Sequence, residues 1–337
     1  MDSLTQLALG AAVGEAVAGK KAGNKAILWG AIAGTIPDLD VIAGNFMSTV
    51  DAMAFHRGLT HSILFALVVS PILGLALHKF YHQLDISWRR WSLLFFLGFF
   101  THTLLDCFTT WGTQLLWPFS NVRIAFKSIF VVDPLYTLPL FICLIWLMFL
   151  PRECSKRRRL NTIGLSISTF YLLLTLLAKY QANQVFEASF NQSNMNIQRY
   201  STRPSPLNII LWTVNAETEE GYYLGYYSFL DDDKSINYSW YPKDHDLLAQ
   251  NMPMTEDVKQ LLDLTGGWYT INSAPGGIIL NDLRFGTYSG WEKGDDNFVF
   301  SYKITEKAGE VEVEERERDL NNGPEIVKDL WQRIMGN

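Results

Sequence analysis

The apolar residues of this chain are gathered at one end. Six apolar segments, at about 4–19, 25–44, 60–80, 91–110, 132–150 and 160–180, fall within the first 180 of 337 residues. A hydrocarbon core about 30 Å thick is crossed by about 20 helical residues, each rising about 1.5 Å. The last four segments reach that length. The first is short and carries Glu15, and in the second, Pro37 of "GTIPDLD" is expected to kink or end the helix. The opening "MDSLTQLALGAAVGEAVAGKK" has its charges after the apolar run, so it reads as a retained short membrane helix and not as a signal peptide.

Charge divides the chain at the same place. Residues 1–180 hold 15 Lys and Arg against 9 Asp and Glu, a net of +6; residues 181–337 hold 13 against 25, a net of −12. After about residue 181 the pattern turns to aromatic and β-branched runs such as "LNIILWTVNAET", "GYYLGYYSFLD", "GWYTINS" and "NFVFSYKITE", separated by Gly, Asp and Asn. These read as strands of an antiparallel sheet or small sandwich. "EVEVEERERD" reads as a solvated strand edge, and "GPEIVKDLWQRIM" as a docking helix with Leu330, Trp331 and Ile334 on one face. The expected fold class is a membrane α-helical bundle of about six segments (1–180) followed by a soluble β-rich, α+β domain (181–337). The net charge of −6 gives no reason to expect a nucleic-acid partner. The three cysteines, Cys107, Cys143 and Cys154, form no CxxC pair and all lie in or beside the apolar half, so disulfides are not expected to hold the strand-rich half together, and a thiolate zinc site is not expected.

Basic residues set the expected orientation. Lys20, Lys21 and Lys25 lie between segments one and two, Lys79, Arg89 and Arg90 between three and four, and "PRECSKRRR" between five and six. By the positive-inside rule these connections are cytoplasmic. The N-terminus, the 45–59 and 111–131 loops and the strand-rich half then face outward.

In that topology the polar residues of the apolar half meet at one depth. Asp38 and Asp40 end segment two, His56 and His61 open segment three, and His102 and Asp106 of "HTLLD" share a helix face near the outward end of segment four. Imidazoles and carboxylates together are the donor set for zinc, manganese or iron. Ionisable groups in membrane segments mark function. Asp38, Asp40, His56, His61, His102 and Asp106 are the expected ligands of one or two divalent ions. Asp40 is an alternative general base. Arg57 is placed to orient a substrate anion, and Thr60 to cap the helix after His61. His78, His82 and His245 are expected to be interfacial or surface residues. There is no GxSxG elbow and no glycine-rich phosphate loop.

"IPDLD", "HRGLTHS" and "HTLLDCFTTWGTQLLWPFS", with the opening forty residues, resemble the YdjM-type family of bacterial inner-membrane proteins over about residues 1–180. The resemblance implies metal-dependent hydrolysis and an inner-membrane location. Many members carry Thr-His where this chain has Thr5-Gln6, so Gln6 or Asp2 replaces that histidine or the ligand is absent. The strand-rich tail looks like an extension found in part of the family. The HxxxD pair is also similar in ligand type to zinc-dependent phospholipase C enzymes.

The expected activity is hydrolysis of a lipid or lipid-linked ester, a phosphoester above all, by metal-activated water at the outer membrane face. Two rivals stand beside it. One is a non-catalytic metal-handling or transport protein. The other is an envelope-stress structural protein whose metal is structural.

Overall fold

Asp2 starts the first helix by accepting the backbone N–H groups of Leu4 and Thr5, and Gly23, at φ 58°, ends it. The computed structural model describes residues 1–291, 295–307, 309–318 and 323–336. The chain divides into two compact units, one of residues 1–46, 55–176 and 206–208, the other of 47–54, 177–205 and 209–337.

The first unit is helical. Its elements are α1 (Ser3–Ala22), α2 (Asn24–Thr35), a 3-10 turn (Ile36–Leu39), α3 (Asp40–Gly44), a second 3-10 turn (Leu59–His61), α5 (Ile63–Phe80), α6 (Trp88–Asp106) and α7 (Pro134–Met148). Helix α4 (Thr49–Phe55) precedes the second turn, and α8 (Ser155–Gln192) follows α7. Pro37 stops α2 as expected, and the chain continues through the 3-10 turn. Ser62, not Thr60, caps α5, accepting the Phe65 N–H at 3.0 Å. Helices α1 and α2 lie backbone to backbone: a Cβ on Gly10 would stand 2.3 Å from the Gly30 carbonyl oxygen, and one on Gly30 2.2 Å from that of Gly10. Glu15 is buried in a two-pronged pair with Arg157, whose guanidinium also donates to the Leu147 and Leu150 carbonyls.

The expectation of about six spans is corrected. Among the described residues, three helical stretches are long and apolar enough to cross a membrane: Asn24–Gly44, Ile63–Phe80 and Ser155–Gln192. Helix α7 has 15 residues, about 22 Å, against a hydrocarbon core of about 30 Å. Helix α1 carries Glu15, Lys20 and Lys21, and α6 carries Arg89, Arg90, His102 and Asp106, so neither is a clear span.

The second unit holds two four-stranded antiparallel sheets, each in sequence order. One is β1 (Arg199–Pro204), β2 (Leu211–Glu217), β3 (Gly221–Ser228) and β4 (Tyr238–Pro242); the other is β5 (Tyr269–Ala274), β6 (Gly277–Asp282), β7 (Ser301–Lys307) and β8 (Glu310–Glu315). The alternation along β2 explains its burial. Trp212, Val214 and Ala216 pack on Ala182, Phe186 and Phe190 of α8. Leu211 faces the opposite way, with Leu224, Tyr226 and Leu283. Helices α9 (His245–Asn251) and α10 (Glu256–Thr265) join β5–β8 around Ile271, Leu280 and Ile304. Helix α11 (Gly323–Ile334) buries Leu330 and Ile334 but leaves Trp331 exposed, so the expected three-residue face is narrower by one. The charge run begins inside the edge strand β8, with Glu314 and Glu315, and residues 316–318 continue it outside the strand; residue 319 lies outside the described residues. His245 is half-buried, stacked on Tyr269 and hydrogen-bonded to the Tyr269 carbonyl at 2.9 Å.

Candidate metal centre

Four side chains from three places in the helical unit converge. Asp38 comes from the 3-10 turn after α2, His61 from the turn before α5, and His102 and Asp106 from successive turns of α6. Their donor atoms all lie within 4.8 Å of one another. His61 Nε2 is 3.2 Å from His102 Nε2, 3.3 Å from Asp38 Oδ1 and 3.4 Å from Asp106 Oδ2. His102 Nε2 is 3.5 Å from Asp38 Oδ1 and 3.6 Å from Asp106 Oδ2. A tetrahedral ion with bonds of about 2.0–2.2 Å sets its donors about 3.3–3.6 Å apart. Asp106 Oδ2 is buried without a hydrogen-bond partner, with the Arg57 Nε 3.3 Å away, and so keeps a lone pair open to a ligand role.

The imidazoles are oriented for this. His102 Nδ1 lies 2.7 Å from the Gly34 carbonyl, which can only accept, so Nδ1 carries a proton and, in the neutral ring, Nε2 turns a lone pair inward. Thr60 Oγ1 donates to Asp40 Oδ2 at 3.1 Å and therefore accepts from His61 Nδ1 at 3.0 Å. In the neutral ring His61 Nε2 is then also a lone pair. With both rings neutral, two lone pairs and two carboxylate oxygens face one point, an arrangement that a cation between them would stabilise.

The family described as YdjM inner membrane protein matches residues 1–182, more than half of the chain. The chain belongs to this inner-membrane family. It is 32% identical over 142 residues to the uncharacterized protein YfhP of Bacillus subtilis (strain 168), covering 40% of this chain and 42% of YfhP. It is 31% identical over 122 residues to the inner membrane protein YbcI of Escherichia coli (strain K12), covering 36% of this chain and 69% of YbcI. The match thus spans less than half of YfhP. No solved structure matches the chain.

The remaining expected site residues of this YdjM-family chain surround the four donors. Asp40 and His56 lie outside the four-donor set. Asp40, fully buried, accepts from His56 Nδ1 at 2.9 Å, from the Arg57 backbone N–H at 3.1 Å and from Thr60. His56 is partly exposed, and its ring centre is 5.8 Å from that of His61. Arg57 is buried; its Nη1 donates to Thr109 Oγ1 at 2.8 Å and its Nε stands 3.3 Å from Asp106 Oδ2. Its backbone has φ 61°, a left-handed conformation that non-glycine residues adopt at a cost of about 1–3 kcal/mol and that clusters at functional sites.

Gln6 is not among the four donors. Its Nε2 donates to the other oxygen of Asp106 at 2.9 Å and to the His102 carbonyl at 3.2 Å, and its Oε1 is buried without a partner. The Met1 amino group also reaches Asp106 Oδ1. Asp2 is a helix cap, not a ligand substitute. Residue types alone did not single out Gly34, which acts through its carbonyl, or Thr109, three residues after Asp106. For Thr109 the helical spacing was the available signal.

Proposed function

We propose that this protein is a membrane-embedded metal-dependent hydrolase acting on a lipid or lipid-linked phosphoester. The observation that carries the reading is the set of five donor–donor distances, 3.2–3.6 Å, around one point. Asp38, His61, His102 and Asp106 would hold one divalent ion, with zinc best suited to the spacing and to the mixed nitrogen and oxygen donors. Such an ion supplies polarisation of a phosphoryl oxygen and a lowered pKa for water.

The chain's own residues do the rest. His56, with Nδ1 held on Asp40, presents Nε2 at the partly exposed edge of the site, where it accepts or returns a proton. Arg57 offsets the Asp106 charge and turns its remaining donors to a substrate oxyanion. A lipid substrate is supported by the depth of the donors: Asp38 lies within one candidate span, and His61 lies two residues before another. It is also supported by a loop beside the site. Residues 113–124 are pinned by Gln114 N–H to the Arg57 carbonyl at 3.1 Å and by Arg123 to the His56 carbonyl at 3.1 Å. The tip of this loop exposes Leu116, Phe119 and Val122. Exposed apolar groups on irregular backbone suit the bilayer interface.

We also infer a multi-pass topology with the three basic connections in the cytoplasm and residues 181–337 outside. A reporter inserted near Arg157 is expected to work only in the cytoplasm, and one after residue 337 only outside.

One feature supports a second reading. Four protein donors would fill a tetrahedral shell around such an ion, as in structural zinc sites, whereas catalytic sites keep a position open. Metal analysis of the purified protein, with His102→Ala alongside, and a phosphodiester hydrolysis assay decide between them. The hydrolase reading expects about one ion per chain, metal-dependent turnover, and loss of both in His102→Ala. Stoichiometric metal without turnover of soluble or lipid phosphodiesters selects the structural or metal-handling role, and no metal in the wild-type protein removes both readings.

A further inference from the structure

Arg203 on β1 stands beside Thr213 of β2, which stands beside Tyr226 of β3, so these three side chains form a row across one face of the sheet. This face is the one covered by Leu283 and Trp291 of the second sheet's connections. Arg203 is 7% exposed. Among the described residues its guanidinium has no hydrogen-bond acceptor and no carboxylate within ion-pair distance. Its five N–H donors therefore have no protein acceptor, and the small remaining exposure leaves them open to an acceptor from outside the chain.

The surroundings explain why no protein group fills the gap. The nearby carboxylate is Asp282, which is fully buried and already held by Arg284 through Nε at 3.0 Å and Nη2 at 2.6 Å. Asp282 is thus committed to Arg284 and acts on Arg203 only from beyond ion-pair distance. Arg203 Nη2 lies over Gly286, where an added Cβ would stand 2.1 Å away, and Gly286 has φ 69°. The row is otherwise lined by hydroxyls: Thr213 is 3.2 Å from Ser205 Oγ, and Tyr226 is 3.0 Å from Thr287 Oγ1. Asn215, two residues from Thr213 on the same face, leaves its buried Oδ1 without a partner. Burial pulls the Arg203 pKa down to about 10, against the opposing pull of Tyr226 and Asp282.

We propose that Arg203, with the hydroxyls of its row and the Gly286 turn, forms a binding site for an oxyanion, a phosphate or a carboxylate group. The planar fork matches two oxygens of such a group, and the charge it would bring is the one that no protein carboxylate at ion-pair distance supplies. This site lies in the strand-rich unit and does not depend on the metal centre.

The test uses the full chain in detergent, with inorganic phosphate and acetate as separate probes and chloride at matched ionic strength as the control. A saturable rise in melting temperature is expected with at least one probe. It should be lost in Arg203→Met, weakened at least tenfold in apparent affinity in Arg203→Lys, and kept in His102→Ala. The lysine variant retains the charge without the fork, so it decides the matter if the methionine variant does not fold. Absence of a saturable response to both probes means that water alone solvates the fork and overturns the site. So does an equal response in Arg203→Lys, which marks an adventitious ion only. Loss of the response in His102→Ala assigns the anion to the metal centre and overturns this proposal as well.

Discussion

His61 and His102 turn their Nε2 atoms toward each other at 3.2 Å, each with its Nδ1 proton committed elsewhere. His102 gives that proton to the Gly34 carbonyl, and His61 gives it to Thr60 Oγ1. The pairing follows from α2 ending beside α6, where Gly34 meets His102, and from the short turn that carries Thr60 and His61 together. Partners of this kind raise ligand basicity and hold the ring in place.

Thr60→Val therefore tests the tautomer. It removes the acceptor for His61 Nδ1 and one partner of Asp40 while leaving the four donors intact. Metal affinity, read by competition with a chromophoric chelator, is expected to fall by about 10–100-fold. An unchanged affinity would show that Asp40 alone, 3.5 Å from His61 Nδ1, suffices.

The close approach of α1 and α2 predicts an intolerant position. In Gly30→Ala the new methyl would stand 2.2 Å from the Gly10 carbonyl oxygen and 2.8 Å from Gly14 Cα, and both obstacles are backbone. The helices must separate, at a cost of about 1–3 kcal/mol. Separation also shifts Gly34 against His102, so the thermal midpoint and metal affinity should fall together.

Arg157→Met should be more damaging than most changes in the helical unit. It leaves the Glu15 carboxylate buried without its partner, and the Leu147 and Leu150 carbonyls without a donor. Removing one half of a buried pair costs about 3–5 kcal/mol. Replacing both, Glu15→Leu with Arg157→Met, is expected to recover most of that loss in thermal unfolding, and a double variant as unstable as the single one would contradict the pairing argument.

In the strand-rich unit, Glu217 gives a pH signature. Burial alone would raise its pKa, but Lys243, at 2.8 Å, and Arg199 outweigh that and hold it below the usual glutamate value. A folded-state pKa below the unfolded one gives stability that is present above about pH 4.3 and lost as pH falls through the folded value. The advantage of wild type over Glu217→Gln in chemical denaturation should be at most about 1 kcal/mol near neutrality, because the pair is partly exposed, and should vanish on acidification.

The sequence by itself determined the division into an apolar helical half and a strand-rich half, because burial follows composition and period. It also determined that His102 and Asp106 act together, since a spacing of four residues puts them on one helix face wherever that helix lies. Tertiary structure decided which of the other candidates join them. Asp38 and Asp40 are two residues apart in a tight helical turn, so they point about 200–240° apart, and both cannot reach the same ion. Asp38 faces His61 and His102; Asp40 faces His56 and the backbone of Arg57. The isolation of Arg203 was equally hidden. An alternating strand shows that the residue faces inward, but only the pairing of Asp282 with Arg284, brought there by the second sheet, leaves it without a counter-charge. Periodicity is local and readable along the chain, whereas the partner of a buried charge is set by segments distant in sequence.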